Sequence, residues 1–241
     1  MIVYCVLKTG GCYNRDYVKR LYQSVINNTS NKIRFICLTD SDDIDFCEVV
    51  PLKHNWLGWW SKIELFRPDL PKEPAVYFDL DTVILRRIDR LIEVAFGSFA
   101  VLEGFNQRVS AMKGNKNFAS GIMAGDFYNY SKVYYEFRED PDKYISYSYN
   151  KGREGDWRHG DQAFIAMMLR CDSVKRIQDF LPGNFIVGKR ILKKQGIIPQ
   201  EARVIAWSGE PRLHELFTFS GNVGFPQKLY RDIDNQWRKY E

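Results

Sequence analysis

The sequence predicts a single α/β domain over residues 1–241, with a mainly parallel, mixed central sheet flanked by helices. Three observations carry that prediction. Short continuous apolar runs recur along the chain, as expected of strands buried on both faces. Segments with apolar residues at helical spacing separate them, which makes the first strands parallel neighbours joined by right-handed crossovers. The composition, 45% hydrophobic and 27% charged over 241 residues, is that of a folded chain long enough to bury one sizeable core.

The apolar run 2–7 closes on Thr9-Gly10-Gly11, and 16–26 then repeats apolar residues at Tyr17, Val18, Leu21, Tyr22 and Val25 before Asn27-Asn28. A second strand is expected over 33–38, so the chain opens with a βαβ unit whose loops lie at the strand C-termini. Ser61 and Glu64 have the spacing of a capping box, which predicts a short helix that Pro68 stops. The run 75–78 is a buried strand. Helices are expected over 88–96, 131–137 and 162–169, and strands over 99–102, 122–124, 185–187 and 204–207. Residues 144–160, rich in Tyr, Gly, Arg and Trp, read as a long irregular loop. The tail 229–240 either docks as a terminal helix or lays Tyr230, Trp237 and Tyr240 on an anionic membrane.

A formal net charge of +5 suits a phosphate-bearing ligand, and the scattering of the basic residues among acidic ones argues against a nucleic-acid partner. Five cysteines without CxxC spacing read as reduced thiols. No signal-like segment and no membrane-length apolar stretch is found, which predicts a cytoplasmic protein with at most peripheral membrane contact. His54, His159 and His214 lack metal-ligand spacing.

Asp79-Leu80-Asp81 is the most informative motif. Two carboxylates two residues apart at the end of a buried strand are costly to leave unpaired, and strand C-termini are where open α/β sheets bind ligands. A divalent cation resolves the cost, and hard oxygen ligands favour Mn²⁺ or Mg²⁺. The plainer alternative has one Asp capping a turn and the other solvated.

The motif and its surroundings resemble the metal-binding segment of GT-A (Rossmann-like) glycosyltransferases, especially glycosyltransferase family 8 and its small bacterial and viral relatives. Lys8-Thr9-Gly10-Gly11 resembles that family's first nucleotide-binding loop, and the segment 60–66 its stretch with a donor-approaching basic residue, here Lys62. Residues 119–123 resemble its strand beside the sugar, Asp161-Gln162 its Asp-Gln pair at a helix start, and 206–212 its C-terminal His-Phe-x-Gly-x-x-Lys-Pro region. These segments span residues 8 to 212 in the family's order. Two departures stand out: the family's Asn is Ala119 here, and its metal-ligand His falls at Ala206, leaving Ser208 or water as the third ligand.

The resemblance implies a nucleotide-sugar donor, with uridine diphosphate as the expected carrier, and a saccharide or glycoconjugate acceptor, including a lipid-linked one. It implies a donor site of Lys8, Thr9, Gly10, Asp40, Lys62, Asp79, Leu80, Asp81, Ser120, Gly121, Gly209 and Arg212, with metal at Asp79 and Asp81. Asp161 and Gln162 become the catalytic candidates. Asp161 can accept sugar hydroxyls, act as a general base, or merely cap its helix. Tyr147, Tyr149 and Trp157, grouped with Tyr144, offer an aromatic platform for an acceptor. Two rivals remain: a haloacid-dehalogenase-type phosphatase with Asp79 as nucleophile, and a nucleotide-sugar-binding module without turnover.

Overall fold

The computed structural model describes residues 1–104, 118–150, 160–169, 174–181, 183–216 and 226–240. Seven strands form the main sheet: β1 (Ile2–Leu7), β2 (Arg34–Thr39), β3 (Glu48–Pro51), β4 (Ala75–Phe78), β6 (Ala100–Glu103), β7 (Phe118–Gly125) and β8 (Lys175–Arg176). Their order is β3-β2-β1-β4-β7-β6-β8. The pairs β3-β2, β2-β1, β1-β4 and β6-β8 are parallel, while β7 runs antiparallel to β4 and β6. The mixed, mainly parallel sheet is the predicted one. A second sheet, β5-β10-β9, is built from Thr82–Ile84, Val204–Ala206 and Ile186–Gly188.

The uninterrupted apolar runs follow from a sheet covered on both faces. Along β1, Val3, Cys5 and Leu7 enter one core with Phe35, Cys37, Val76 and Phe78, while Ile2 and Tyr4 enter the other with Ile36, Leu38, Ala75 and Tyr77. Helix α1 (Arg15–Asn27) covers the first face with Tyr17, Val18, Leu21 and Val25, and its N-cap Asn14 accepts a hydrogen bond from Asp16 N. Against the second face pack a 3-10 helix over Gly58–Phe66 and the helices α3 (Lys132–Glu139) and α5 (Asp161–Met168). Helix α2 (Asp89–Val94) is shorter than expected.

Two expectations need correction, and of the two readings of the tail the docked helix is the one found. There is no capping box at Ser61: the helix begins at Gly58, Ser61 Oγ donates to Trp56 O, and the fully buried Glu64 carboxylate accepts from Lys53 N and His54 N and pairs with Arg67. Glu64 thus fastens the preceding loop to this helix. The long irregular loop also begins too early, because Pro141–Asn150 forms helix α4, with Asp140 accepting from Lys143 N and Tyr144 buried in the core. Pro at the first helical position after an Asp was a readable start signal that the aromatic, polar composition masked. Finally, 227–238 is helix α7 (Gln227–Arg238), which buries Leu229, Ile233 and Trp237. Its aromatic face is used inside the protein, with Trp237 against Tyr17 and the Tyr240 hydroxyl accepting from Asn28, so the tail does not offer Trp237 to a membrane. Among the described residues, no helix is long and apolar enough to cross a membrane.

Helix α6 (Lys189–Gln195) joins β9 to the loop before β10 and was not expected from the sequence. Cys5, Cys12, Cys37 and Cys47 are free thiols; Cys171 lies outside the described residues.

Candidate active site

The C-terminal ends of β1, β2 and β4, together with the end of β10, supply the candidate residues. After β4 the chain turns through Asp79–Thr82, closed by Thr82 N donating to Asp79 O at 3.1 Å, and runs directly into β5. β10 pairs antiparallel with β5, so Ala206 lies opposite Thr82 and Trp207 N donates to Asp81 O at 3.3 Å. This pairing brings residues 207–212, remote in sequence, beside the two aspartates. Leu80, between them, is buried in the main core and faces away.

Asp81 is 6% exposed, and its Oδ2 accepts a 2.8 Å hydrogen bond from the Tyr13 hydroxyl, with Arg212 Nη1 3.7 Å away. Arg212 also donates to the Tyr13 oxygen at 2.7 Å. Burial, then the neighbouring Asp79 carboxylate, push Asp81 well above the usual carboxylate range; Tyr13 and Arg212 offset this only in part. Asp79 is anchored by its own N–H, which donates to Gly121 O at 2.8 Å, and its Oδ1 is held by Lys62 at 2.9 Å and by the Tyr77 hydroxyl. A Cβ at Gly121 would come within 3.1 Å of Asp79 Oδ2, so glycine there leaves the carboxylate room.

Lys62 is the hub of the site. It is 7% exposed, and its ammonium bridges Asp79 and Asp161 at 2.9 Å each, with Ser120 Oγ at 3.2 Å. Burial alone would lower its pKa, but the Asp161 and Asp79 carboxylates outweigh burial and hold it well above the ordinary lysine value. Asp161 stands at the first position of α5 with Gly160 as the cap residue, so it is not the N-cap. Its Oδ2 meets Lys62 and accepts from Ser120 Oγ at 3.1 Å, while burial keeps the carboxyl above its ordinary range despite Lys62. Gln162 Oε1 approaches Ser120 N at 3.4 Å. Lys62, Asp79, Ser120, Gly121, Asp161 and Gln162 therefore form one connected cluster.

At the adjoining edge, Asp40 at the end of β2 accepts from Thr9 N and Thr9 Oγ1, both at 2.8 Å, and pairs with Lys8. Burial would raise Asp40, but Lys8 and Thr9 reverse this and hold its carboxyl at about 2. The clasp fixes the first loop, where Gly10 has φ +85° and is exposed. Tyr147 and Tyr149 lie on α4; Trp157 and His159 lie outside the described residues. His54 and His214 bond to Tyr134 and Tyr17, with no role at the cluster.

Sequence reasoning missed Tyr13, described above, and Lys189. Lys189 leads into α6, and its ammonium donates to the carbonyls of Gly209, Glu210 and Pro211 at 2.8, 3.1 and 3.3 Å while lying 4.2 Å from the Trp207 ring. Burial lowers it to about 8, against the pull of Asp81. It staples the turn that delivers Arg212. A basic hexapeptide after a glycine carries no sequence signal for such a role.

Asp79 and Asp81 fit a hard divalent cation: oxygen donors, one buried with its ionisation opposed by the other. Among the described residues no group of three His, Cys, Asp or Glu side chains forms a cage, and Ser208 is exposed. This suits an ion that completes its shell with substrate phosphates and water.

No family model and no curated protein sequence matches the chain. Among solved structures, the chain resembles the galactosyltransferase LgtC in complex with donor and acceptor sugar analogs, at TM-score 0.63 and 10% identity over 100% of both chains. It also resembles the glycosyltransferase GlyE of Streptococcus pneumoniae TIGR4 (TM-score 0.61, 13% identity, 99% of this chain and 62% of that one). A third is the bifunctional glycosyltransferase WbbM in its apo form (TM-score 0.58, 14% identity, 99% and 49%), of which the chain spans about half. The likeness shows that the fold is that of GT-A-type glycosyltransferases.

Proposed function

We propose that the chain is a metal-dependent glycosyltransferase that moves a hexosyl group from a nucleoside-diphosphate sugar, in the first instance a uridine diphosphate sugar, to a saccharide or glycoconjugate acceptor. The observation that supports it best is the convergence, at the strand C-termini of this fold, of two metal-suited aspartates with Arg212 on one side and the Lys62–Asp161 pair on the other. Asp79 and Asp81 would hold Mn²⁺ or Mg²⁺, which when bound supplies a Lewis acid for the departing diphosphate. Arg212, always charged, adds fixed positive charge where the leaving group develops its own. Lys62 neutralises Asp79 and Asp161 together and keeps both oriented. With Oδ2 committed to Lys62 and Ser120, Asp161 is better placed to accept a sugar hydroxyl hydrogen bond through Oδ1 than to serve as a general base. The Lys8–Asp40 clasp holds the first loop in place for the nucleoside.

Calorimetric titration of nucleoside diphosphates and nucleotide sugars, each with Mn²⁺, with Mg²⁺ and with chelator, tests this reading. Metal-dependent binding of one nucleotide is expected. Absence of binding throughout, joined to phosphate release from an aryl phosphate, would replace the reading with the phosphatase.

Lys189→Met should weaken nucleotide affinity about tenfold, the effect of losing a charge-assisted clamp on the 209–211 turn. Because Lys189 titrates at about 8, affinity of the unmodified chain should fall as pH rises through 8 while Arg212 stays charged. Titrations between about pH 8 and about pH 9.5, where Asp81 is already ionised, should show that fall, and Lys189→Met should remove it.

A further inference from the structure

Among the described residues, Trp59 is the large aromatic side chain at the rim of the site that the fold leaves uncovered. Trp56, Trp60, Trp207 and Trp237 are 7% exposed or less, whereas Trp59 is 54% exposed and the nearby Leu57 58%. Exposure alone would mean little, but its placement is specific. Trp59 and Lys62 stand three residues apart on the 3-10 helix Gly58–Phe66, and three residues make one turn of such a helix, so the indole lies on the Lys62 face. The next residue, Trp60, faces the opposite way and stacks on Phe137 in the core.

The Nε1 end of the indole lies against Gly160, the residue before Asp161. A Cβ built there would lie 2.2 Å from Trp59 Nε1 and 2.9 Å from Cδ1 and Cε2, and Gly160 holds φ +55°. Glycine at this position both permits the left-handed backbone and makes room for the ring. The chain thus fixes a broad, flat apolar surface one residue from the carboxylate proposed to meet the donor sugar, and among the described residues about half of Trp59 stays exposed.

We infer that Trp59 is the stacking platform for the acceptor, binding the apolar face of a pyranose ring and setting its approach to the Lys62–Asp161 pair. A saccharide presents C–H groups on a ring face, which matches the apolar face of an indole held in place at its Nε1 end by Gly160. This rests on the glycosyltransferase reading and adds to it the residue that selects a ring-shaped acceptor. It also shifts the acceptor side from Tyr147, Tyr149 and Trp157 to the 57–59 segment.

The test uses the full chain with the nucleotide sugar identified by calorimetry and a panel of methyl α- and β-glycosides of glucose, galactose and N-acetylglucosamine as acceptors. In Trp59→Ala the acceptor KM should rise about tenfold, a loss of the size of one aromatic contact, with nucleotide Kd unchanged. Trp59→Phe should recover part of it. The unmodified chain's fluorescence should also shift on adding the preferred glycoside, and Trp59→Phe should lose that shift. An unchanged acceptor KM in Trp59→Ala overturns the platform and leaves the donor site standing, as does an equal loss of nucleotide affinity, which would mark a structural role. Failure of the unmodified chain to bind any nucleotide overturns the glycosyltransferase reading and the platform together.

Discussion

Asp81→Asn should reduce sugar transfer by about a thousandfold or more, since a Lewis-acid cation contributes several kcal/mol at the transition state and about 1.4 kcal/mol is tenfold in rate. The same variant should melt at a higher temperature than the unmodified chain in metal-free buffer. Asp81 is pushed up to about 7 by burial and by Asp79, against an ordinary value of 3.8. The folded state therefore holds a proton that the unfolded state releases between those values, and stability falls as pH rises from about 4 to 7. Asparagine removes that penalty, so the gain should be absent near pH 4 and complete above pH 7. For a chain of this length each kcal/mol recovered is worth about 2–4 °C. Mn²⁺ should raise the melting temperature of the unmodified chain and leave the variant unmoved, because only a cation bound to the folded state stabilises it. Melting curves across pH, with and without Mn²⁺, decide the matter; full transfer activity in Asp81→Asn would remove the metal assignment.

Lys62→Met should be the most destabilising single change in the site. It leaves the buried Asp161 facing the part-exposed Asp79 without their shared ammonium, and breaking a buried pair by removing one partner costs about 3–5 kcal/mol, the Lys62–Asp161 half of the bridge carrying most of it. The loss should shrink as pH falls, because the Asp161 carboxyl, freed of Lys62, takes up a proton at higher pH than before and so ceases to repel Asp79. Adding Asp161→Asn should restore part of the stability without restoring transfer, and this non-additivity is the signature of one coupled cluster. Transfer in Lys62→Met should fall at least about a hundredfold from the displacement of both carboxylates. Lys62→Arg should not rescue it: the position is buried and shaped for a compact ammonium between two carboxylates and Ser120, where a planar guanidinium is too large. Denaturant unfolding of Lys62→Met, Asp161→Asn and the double variant checks the sequence of effects; additive losses would mean that Lys62 and Asp161 act separately.

The site was partly readable from sequence because some of it is local. Asp79 and Asp81 stand at the end of an apolar run, and that pattern alone places two carboxylates at a strand C-terminus. Asp161 was placed at a helix start, but its partner was not, since no spacing rule connects residues 62, 120 and 161. Lys62 was taken to sit near a helix N-terminus on the strength of a Ser-x-x-Glu match. Its position in fact comes from a helix that begins at Gly58 and is tied down by Glu64, whose carboxylate faces the preceding loop. Tyr13 and Lys189 were invisible because each acts on a segment far along the chain, Asp81 for one and the 209–211 turn for the other.

What the sequence determined by itself was the class of fold and the chemistry available at strand ends. Period-2 and period-3.6 burial are properties of short segments, so β1, α1, β2 and β4 were set by local pattern and lie close to where pattern put them. The tertiary structure alone decided which charges share an ammonium, that Asp81 is more buried than Asp79, and that Trp59 stays exposed. It decided this through pairings such as β5 with β10 and the contact of Trp59 with Gly160, where residues distant in sequence meet. A buried charge takes its state from the groups packed around it, and those groups are assembled only when the chain folds.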